Sequence, residues 1–300
     1  MRIAITGISG FIGSHIAKVL SERGHAVVGL VRETSRRDHI QPYVERLVVG
    51  DQDDEVAWEL LLNRADAVVH ASVDWSALRP APDLDRHLKT NLAGSIRFLQ
   101  ASRPRPFVFL STIAVHHDIL PQWRGKPDEA HPLRPNSLYG AYKASVEAHL
   151  WAEHFSQAGP DGGPRHTAAI RPCAVYGIDP NLPRSHGYDI IKTLRETGRY
   201  DKPGGGKCVH VDDVALATAL ALEKPEAAGQ PFNLADCYAR HADWAEIAAQ
   251  ELGIEAEIDL SSPPSSKNLF DKSATQRLGV PLNRGHEGIR QHLRDLISKM

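Results

Sequence analysis

Residues 2–13 read RIAITGISGFIG, and this stretch decides the predicted fold. The apolar run 3–5 has the composition of a buried strand, and Gly7, Gly10 and Gly13 follow it at three-residue intervals. The first glycine permits a tight turn, the second lets the backbone approach a pyrophosphate, and the third lets the next helix pack closely on the sheet. A helix N-terminus also offers unpaired N–H groups to phosphates. We therefore predict a strand–turn–helix unit that binds a dinucleotide through Gly7, Gly10, Phe11, Ile12 and Gly13.

Short apolar runs alternate with longer segments of helical spacing through the first part of the chain. The runs lie at 2–6, 26–31, 47–49, 67–70 and 107–110, and the helical segments lie at 11–23, 53–63 and 84–102. Because the runs are apolar on nearly every residue, both of their faces must be covered. Strands of this kind that are separated by helices form parallel sheets. We predict an α/β fold, a Rossmann-type doubly wound parallel sheet with a smaller C-terminal substrate-binding lobe.

The second half of the chain is less regular. A helix is predicted to begin at Asn136 or Ser137 and to run through about Phe155, and a strand at 167–170 follows it. Beyond Tyr176, Pro- and Gly-rich segments separate the helical stretches. The predicted domains are a dinucleotide-binding Rossmann domain at 1–175, whose sheet also receives 209–234, and a substrate-binding lobe at 176–208 and 235–300.

The composition is that of an ordinary globular protein, with 42% hydrophobic and 24% charged residues. The 35 Lys and Arg against 37 Asp and Glu argue against nucleic-acid and membrane partners, because both usually require a basic excess. Glycines interrupt the one stretch similar to a signal peptide, and no run reaches the ~18 apolar residues of a membrane helix. Three widely spaced cysteines predict no disulfide framework and favour a cytoplasmic location. The 16 histidines contain no metal-binding motif, so we predict no metal site.

Two motifs carry a family resemblance. TGxxGxxG at 6–13 and YxxxK at 139–143 resemble the extended short-chain dehydrogenase/reductase family, also called the NAD-dependent epimerase/dehydratase family. The likeness covers nearly the whole chain and includes Asp51, His70-Ala71-Ser72, Asn91, Ser111-Thr112, Arg171-Pro172, Val175-Tyr176-Gly177 and 209–213. The resemblance implies a nicotinamide-dependent enzyme that acts on a small molecule. It also implies a homodimer, for which the helices at 84–102 and 139–155 are the candidate interface.

The end of the second predicted strand indicates which nicotinamide cofactor is used. Enzymes that bind NAD usually place an acidic side chain there to hold the ribose 2′-hydroxyl. That position is Val31 here, and Arg32 and Arg36 follow it. Arginine offers planar donors that suit a phosphate, so we predict NADP rather than NAD. The alternative is a solvated basic loop.

The resemblance implies further cofactor contacts at the ends of the third and fourth strands. Asp51 matches the residue that contacts the adenine amino group, and Gln52 adds a backbone donor. A helix N-cap is the alternative reading of Asp51. Ala71 is small enough for the ribose and nicotinamide to lie against the backbone.

Tyr139 and Lys143 are four residues apart, which puts both on one face of a helix. A tyrosine has a pKa near ~10, so acid–base chemistry at neutral pH requires a nearby positive charge. The resemblance implies that Tyr139 exchanges a proton with the substrate oxygen and that Lys143 supplies the charge and binds the nicotinamide ribose. Thr112 is predicted to hold the same substrate oxygen, with Ser111 as the alternative.

Residues that differ from the family's pattern narrow the range of reactions expected of this protein. Ile113-Ala114 stand where sugar-nucleotide dehydratases carry an Asp-Glu pair, so dehydration is not expected. Ala174 and Gly206 stand where sugar-nucleotide epimerases hold the diphosphate, and Lys207 is the only cation beside them. We predict an NADP(H)-dependent oxidoreductase that reduces a carbonyl or oxidises a secondary alcohol of a small molecule. The alternatives are an NAD(P)-dependent sugar or sugar-nucleotide epimerase and a non-catalytic dinucleotide sensor.

Two aromatic residues and two acids complete the set of candidates. Trp75 and Trp123 lie in predicted loops, where they either roof the substrate cleft or pack beneath the loops. Asp212 or Asp213 is predicted to cap the helix that continues through Leu222.

Overall fold

Strands and helices alternate along the chain in the computed structural model, which describes residues 1–156, 159 and 162–300. The strands are β1 (Arg2–Thr6), β2 (Ala26–Val31), β3 (Arg46–Val49), β4 (Ala67–His70), β5 (Phe107–Leu110), β6 (Thr167–Pro172), β7 (Ala174–Tyr176), β8 (Arg199–Tyr200), β9 (Gly205–His210), β10 (Gln230–Leu234), β11 (Cys237–Arg240) and β12 (Glu257–Ile258). The helices are α1 (Phe11–Glu22), α2 (Glu55–Leu62), α3 (Leu84–Arg86), α4 (Gly94–Ala101), α5 (Leu138–Phe155), α6 (Tyr188–Thr197), α7 (Val211–Glu223), α8 (His241–Leu252), α9 (Ser273–Leu278) and α10 (Gly285–Ile297).

Seven of the described strands form one parallel sheet, in the order β10-β6-β5-β4-β1-β2-β3. The strand order reverses between β1 and β4, and ligands of such sheets bind at the carboxyl ends of the strands beside this reversal. This topology confirms the predicted Rossmann-type doubly wound fold.

The sheet is covered on both faces, as its uninterrupted apolar strands require. Ile3 and Ile5 pack with α1 and α7 on one face, whereas Ala4, between them, packs with α2, α4 and α5 on the other. This alternation follows from the two-residue period of a strand. Among the described residues, no helix is both long and apolar enough to cross a lipid bilayer.

The smaller lobe has its own core and its own sheet. Strands β11, β9 and β7 form a three-stranded sheet, and α6, α8 and α10 pack around Tyr176 and Trp244. The antiparallel register of β9 and β11 places Cys208 opposite Cys237, with their Sγ atoms 3.4 Å apart. Both are free cysteines, and their wide spacing in the sequence gave no sign of this contact.

The helix predicted over 84–102 is interrupted. A π-helical segment, His87–Ala93, separates α3 from α4. Within it, the Asn91 amide exchanges two hydrogen bonds with the backbone of Asp74, at 2.7 and 3.0 Å. The wider turn therefore lets the helix hold the loop that follows β4.

The predicted return of 209–234 to the main sheet is too broad, because only β10 joins it. Val209 lies in the small sheet, and 211–223 is helix α7. The helix begins at Val211, so His210 is its N-cap and accepts a hydrogen bond from the Asp212 N–H. The prediction that Asp212 or Asp213 caps this helix was wrong, since both acids lie in its first turn.

Candidate active site

The loop after β1 has the close contacts that the glycine spacing predicts. Gly7 has a φ of +72°, and a Cβ there would lie 2.7 Å from the backbone N of Ser72. A Cβ on Gly13 would lie 2.1 Å from the Gly7 carbonyl oxygen, so a side chain would force α1 away from the loop. Gly10 is exposed, and a Cβ there would meet only that carbonyl oxygen, at 3.3 Å. The loop is therefore tight at Gly7 and Gly13 and open at Gly10.

The N-terminus of α1 opens beside Gly10. Gly10 is its N-cap, and no side chain of the described residues caps the helix. The first-turn N–H groups, which belong to Phe11, Ile12 and Gly13, have no partner within a helix. An uncapped N-terminus behind an exposed glycine fits a dinucleotide pyrophosphate.

The carboxyl end of β2 presents basic side chains. Val31 is the last residue of the strand and is buried, so no acid stands at the position that usually holds the ribose. Arg32 and Arg36 are exposed, and neither side chain pairs with a described residue. Arg37 is different, because its guanidinium donates to the carbonyls of Arg32 and Glu33. Two exposed guanidinium groups at this end of the sheet are thus without a partner among the described residues.

Asp51 and Gln52 follow β3, where the sequence placed them. The N-cap of α2 is Asp54, so the alternative reading of Asp51 as an N-cap was wrong. The Gln52 side chain donates to the Thr90 carbonyl and to Asn91 Oδ1, which ties it to the π-helical segment. Ala71 lies against the glycine loop, and its backbone C is 2.8 Å from the position of a Cβ on Gly7.

The predicted catalytic residues meet at the carboxyl end of β5. Ser137 caps α5, which puts Tyr139 in the first turn of the helix and Lys143 one turn later. Thr112 follows β5 and begins a short 3-10 helix, where its Oγ1 accepts a hydrogen bond from the Ala114 N–H at 3.2 Å. That bond uses a lone pair of Thr112 and leaves its proton for another acceptor. Ser111 instead donates to the buried Glu147 carboxylate, which makes Thr112 the better candidate to hold a substrate.

Burial controls the protonation of this site. Burial raises the pKa of Tyr139 to about 12, and the neighbouring Thr112 hydroxyl and Arg79 guanidinium oppose the increase. Burial lowers the pKa of Lys143 to about 7, and the Glu147 carboxylate acts in the opposite direction. Lys143 Nζ donates to the Leu110 carbonyl and lies 5.9 Å from the centre of the Tyr139 ring.

A buried ion pair behind the site was missed by the sequence reasoning. Glu147 accepts three hydrogen bonds from the Arg171 guanidinium, and both residues are almost fully buried. The third Arg171 nitrogen, Nη1, lies 2.9 Å from His116 Nε2. A signal for the pair was present, since Glu147 lies four residues after Lys143 on the buried face of α5 and Arg171 interrupts an otherwise uncharged strand.

The two predicted roof tryptophans have different surroundings. The Trp75 ring centre is 4.9 Å from that of Tyr139, so Trp75 lies directly against the candidate proton donor. Trp123 packs on the His131 ring and donates to Asp128, as expected for a residue that packs within its own loop. Of the two, Trp75 is the one that lies beside the candidate catalytic residues.

The fold and these residues define a class of protein, the NAD(P)-dependent enzymes of the short-chain dehydrogenase/reductase type. The model of the NAD dependent epimerase/dehydratase family matches residues 3–235. The chain therefore belongs to the NAD-dependent epimerase/dehydratase family.

Three similar proteins show the range of reactions in this family. The 4-hydroxy-2-methyl-3-oxo-4-farnesyl-3,4-dihydroquinoline-1-oxide ketoreductase of Stigmatella aurantiaca is 28% identical over 272 residues, which cover 86% of this chain and 75% of that protein. The 3-diazoavenalumate denitrifying reductase of a Streptomyces species is 28% identical over 261 residues, or 84% and 82% of the two chains. The crystal structure of a UDP-galactose 4-epimerase superposes with a TM-score of 0.77 at 26% identity and covers 100% of both chains. Reductases and epimerases are thus both among the relatives.

Proposed function

We propose that this protein is an NADP(H)-dependent oxidoreductase that reduces a carbonyl, or oxidises a secondary alcohol, of a small molecule other than a sugar nucleotide. One observation carries the proposal. Thr112, Tyr139 and Lys143 meet at the end of β5, whereas the positions expected to hold a diphosphate, Ala174 and Gly206, are exposed and have no polar side chain that could bind one. The names of the ketoreductase and the reductase among the relatives support this direction.

The protonation of Tyr139 suits carbonyl reduction. With a pKa of about 12, its phenol keeps its proton at neutral pH and can donate it to a carbonyl oxygen. Thr112 holds the same oxygen through its hydroxyl proton, and Lys143 contributes positive charge when it is protonated. When bound, the reduced nicotinamide supplies the hydride.

The cofactor assignment rests on the loops around β1 and β2. Gly10 and the uncapped start of α1 suit the pyrophosphate, while the exposed Arg32 and Arg36 suit a 2′-phosphate and would gain little from a 2′-hydroxyl. We assign NADP(H) on this basis.

The assay follows the absorbance of the reduced nicotinamide with a panel of ketones, aldehydes and sugar nucleotides. We expect NADPH consumption that is stoichiometric with a carbonyl substrate. Tyr139→Phe should lower turnover by about 100-fold or more while NADPH affinity stays within a few-fold. Inversion of a sugar stereocentre at constant reduced cofactor would instead establish the epimerase. Near-normal turnover of Tyr139→Phe would remove this residue from the mechanism.

A binding experiment tests the cofactor separately. Arg32→Ala should weaken NADPH binding much more than NADH binding, because only NADPH carries the 2′-phosphate. Arg97→Ala is a control, since Arg97 is exposed on α4 and is not predicted to bind cofactor. Equal or tighter binding of NADH by the unmodified protein contradicts the assignment. A homodimer formed through 84–102 and 139–155 stays a prediction that light scattering would test.

A further inference from the structure

The loop that follows β4 places a second side chain beside the candidate active site. Trp75 is 43% exposed, and the Arg79 guanidinium carbon lies 4.7 Å from its ring centre. The Tyr139 ring lies 4.9 Å from the same Trp75 centre. Trp75 thus contacts both residues, and the Arg79 guanidinium lies near the proposed proton donor, Tyr139.

The loop is held in place without the Arg79 side chain. The buried Asp74 carboxylate accepts hydrogen bonds from the Ser76 N–H, the Ser76 hydroxyl and Arg86 Nε, at 3.1, 2.6 and 2.8 Å. The Asp74 backbone is held by Asn91, and the Arg79 N–H donates to the Trp75 carbonyl at 2.9 Å. The loop is thus positioned before any ligand binds.

The Arg79 guanidinium lies over the Trp75 ring but has no ionic or hydrogen-bonding partner among the described residues. Within the described part of the chain, no carboxylate lies within 4.0 Å of it and it makes no side-chain hydrogen bond, whereas Arg86 in the same region pairs with Asp74. An arginine left unpaired beside a reacting group offers two parallel N–H donors, which match a carboxylate or phosphate. The exposed part of the Trp75 ring adds a rigid apolar surface for a planar group.

We propose that Arg79 binds an anionic group of the substrate and that Trp75 packs against the planar part that bears the carbonyl. The substrate class is then a planar carbonyl compound with a carboxylate or a phosphate. This inference rests on the proposed reductase function, whose substrate it narrows.

Matched ketones test the charge requirement. The probes are 4-acetylbenzoate, 4-acetylphenyl phosphate and methyl 4-acetylbenzoate, which share an acetyl-substituted ring and differ in charge. We expect kcat/KM with NADPH to be at least about tenfold higher for one of the two anionic ketones than for the ester. The better of the two identifies the group that Arg79 binds. If the wild-type enzyme reduces the ester with the same kcat/KM as both anions, the proposal is overturned.

Substitutions test which cationic side chain binds the anionic group of the substrate. Arg79→Gln should remove the preference mainly through a higher KM and leave the ester within about twofold, while Arg79→Lys should retain part of it. Arg64→Gln is the matched control, because Arg64 is also an exposed arginine without a side-chain partner among the described residues, but it precedes β4 and so lies at the opposite end of the sheet. Loss of the preference in Arg64→Gln, or its persistence in Arg79→Gln, overturns the proposal.

The role of Trp75 has its own comparison. Trp75→Ala should raise KM for all three aromatic ketones by about tenfold, and Trp75→Phe should restore most of the loss because it keeps an aromatic surface. Trp123→Phe should leave these values unchanged, since Trp123 packs within its own loop. Equal KM values for Trp75→Ala and the wild type contradict the packing role.

A binding measurement separates this inference from the proposed function. If the protein binds NADPH but reduces none of the ketones, the reductase proposal fails for this substrate class, yet calorimetry on the NADP⁺-loaded protein still tests Arg79. Benzoate or phenyl phosphate should bind, benzamide should bind at least about tenfold more weakly, and Arg79→Gln should abolish the difference. Absence of binding by both anions, or equal binding of benzoate and benzamide, overturns the inference.

Discussion

Replacement of Lys143 with methionine should make the protein more stable while it abolishes activity. Lys143 is 1% exposed, and its Nζ lies 4.3 Å from the Phe109 ring centre and 5.0 Å from that of Tyr142. The nearest opposing charge, Glu147, is already paired with Arg171. The pKa of Lys143 is therefore about 7 instead of 10.5.

The size of the effect follows from that difference. A pKa of about 7 in the native state against 10.5 means that holding the charged lysine costs about 5 kcal/mol of folding free energy at low pH. Methionine fills a similar volume without charge, but it loses the hydrogen bond to the Leu110 carbonyl, worth roughly 1.5–3 kcal/mol for a charged donor. Lys143→Met should thus be about 3 kcal/mol more stable than the wild type below pH ~7.

The pH dependence has a definite sign. The native state releases its proton near pH 7 and the unfolded state near 10.5, so the wild type gains about 1.4 kcal/mol per pH unit between these values. Lys143→Met lacks this gain. The stability difference should therefore fall from about 3 kcal/mol at pH ~6 to about zero or below at pH ~10.

Urea denaturation of both proteins between pH ~6 and pH ~10 measures this difference in the free energy of unfolding. Other titrating groups contribute equally to both proteins, so their contributions cancel in the difference. Lys192→Met is the control, because Lys192 is exposed on α6 and should show no pH-dependent difference. A difference between Lys143→Met and the wild type that stays constant with pH would refute the reasoning, because Lys143 would then titrate alike in both states.

Three further predictions concern the glycine loop, the buried ion pair and the thiol pair. Gly13→Ala should prevent folding or cofactor binding, because its Cβ would lie 2.1 Å from a carbonyl oxygen. Gly10→Ala should fold and lose only dinucleotide affinity. Thermal unfolding and NADPH titration distinguish the two variants. Arg171→Met should lower the free energy of unfolding by about 3–5 kcal/mol, measured by urea denaturation, because it leaves a buried carboxylate unpaired. Treatment with a thiol oxidant such as diamide should remove two titratable thiols, because Cys208 and Cys237 can form a disulfide with little movement.

Each of these predictions has a control in the same chain. Arg199→Met, on an exposed arginine, should change stability by less than about 0.5 kcal/mol. Cys173→Ser should still lose the thiol pair on oxidation, whereas Cys237→Ser should not. A native-like Gly13→Ala with normal affinity, an Arg171→Met as stable as the wild type, or a thiol pair that resists diamide would each contradict the corresponding prediction.

Most of the sheet was predictable because its central strands are buried on both faces. Runs such as 26–31 and 107–110 contain only apolar residues and glycine, and the structure places strands over the same residues. The glycine loop was predictable for a related reason, since few residues other than glycine tolerate its contacts. In both cases the constraint is local and acts on each residue separately.

Features that depend on distant contacts were not predictable. The assignment of Val209 to the small sheet depends on its pairing with β7 and on the pairing of β9 with β11, which no local pattern encodes. The π-helical segment depends on the amide of Asn91 reaching Asp74. In the sequence, Arg79 cannot be told apart from other surface arginines, and its proposed role follows only from its position beside Trp75.

Contacts between residues that are distant in the sequence also fix the geometry of the proposed active site. Lys143 is bonded to the Leu110 carbonyl and Glu147 to Ser111 and Arg171, so two successive turns of α5 are tied to the ends of β5 and β6. Ser111 anchors the helix, and its neighbour Thr112 is the residue proposed to hold the substrate oxygen. A misplacement of about 1 Å can cost about 100-fold in rate. Arg171→Met should therefore lower kcat without weakening NADPH binding, because it loosens the register between α5 and β5 and leaves the glycine loop intact.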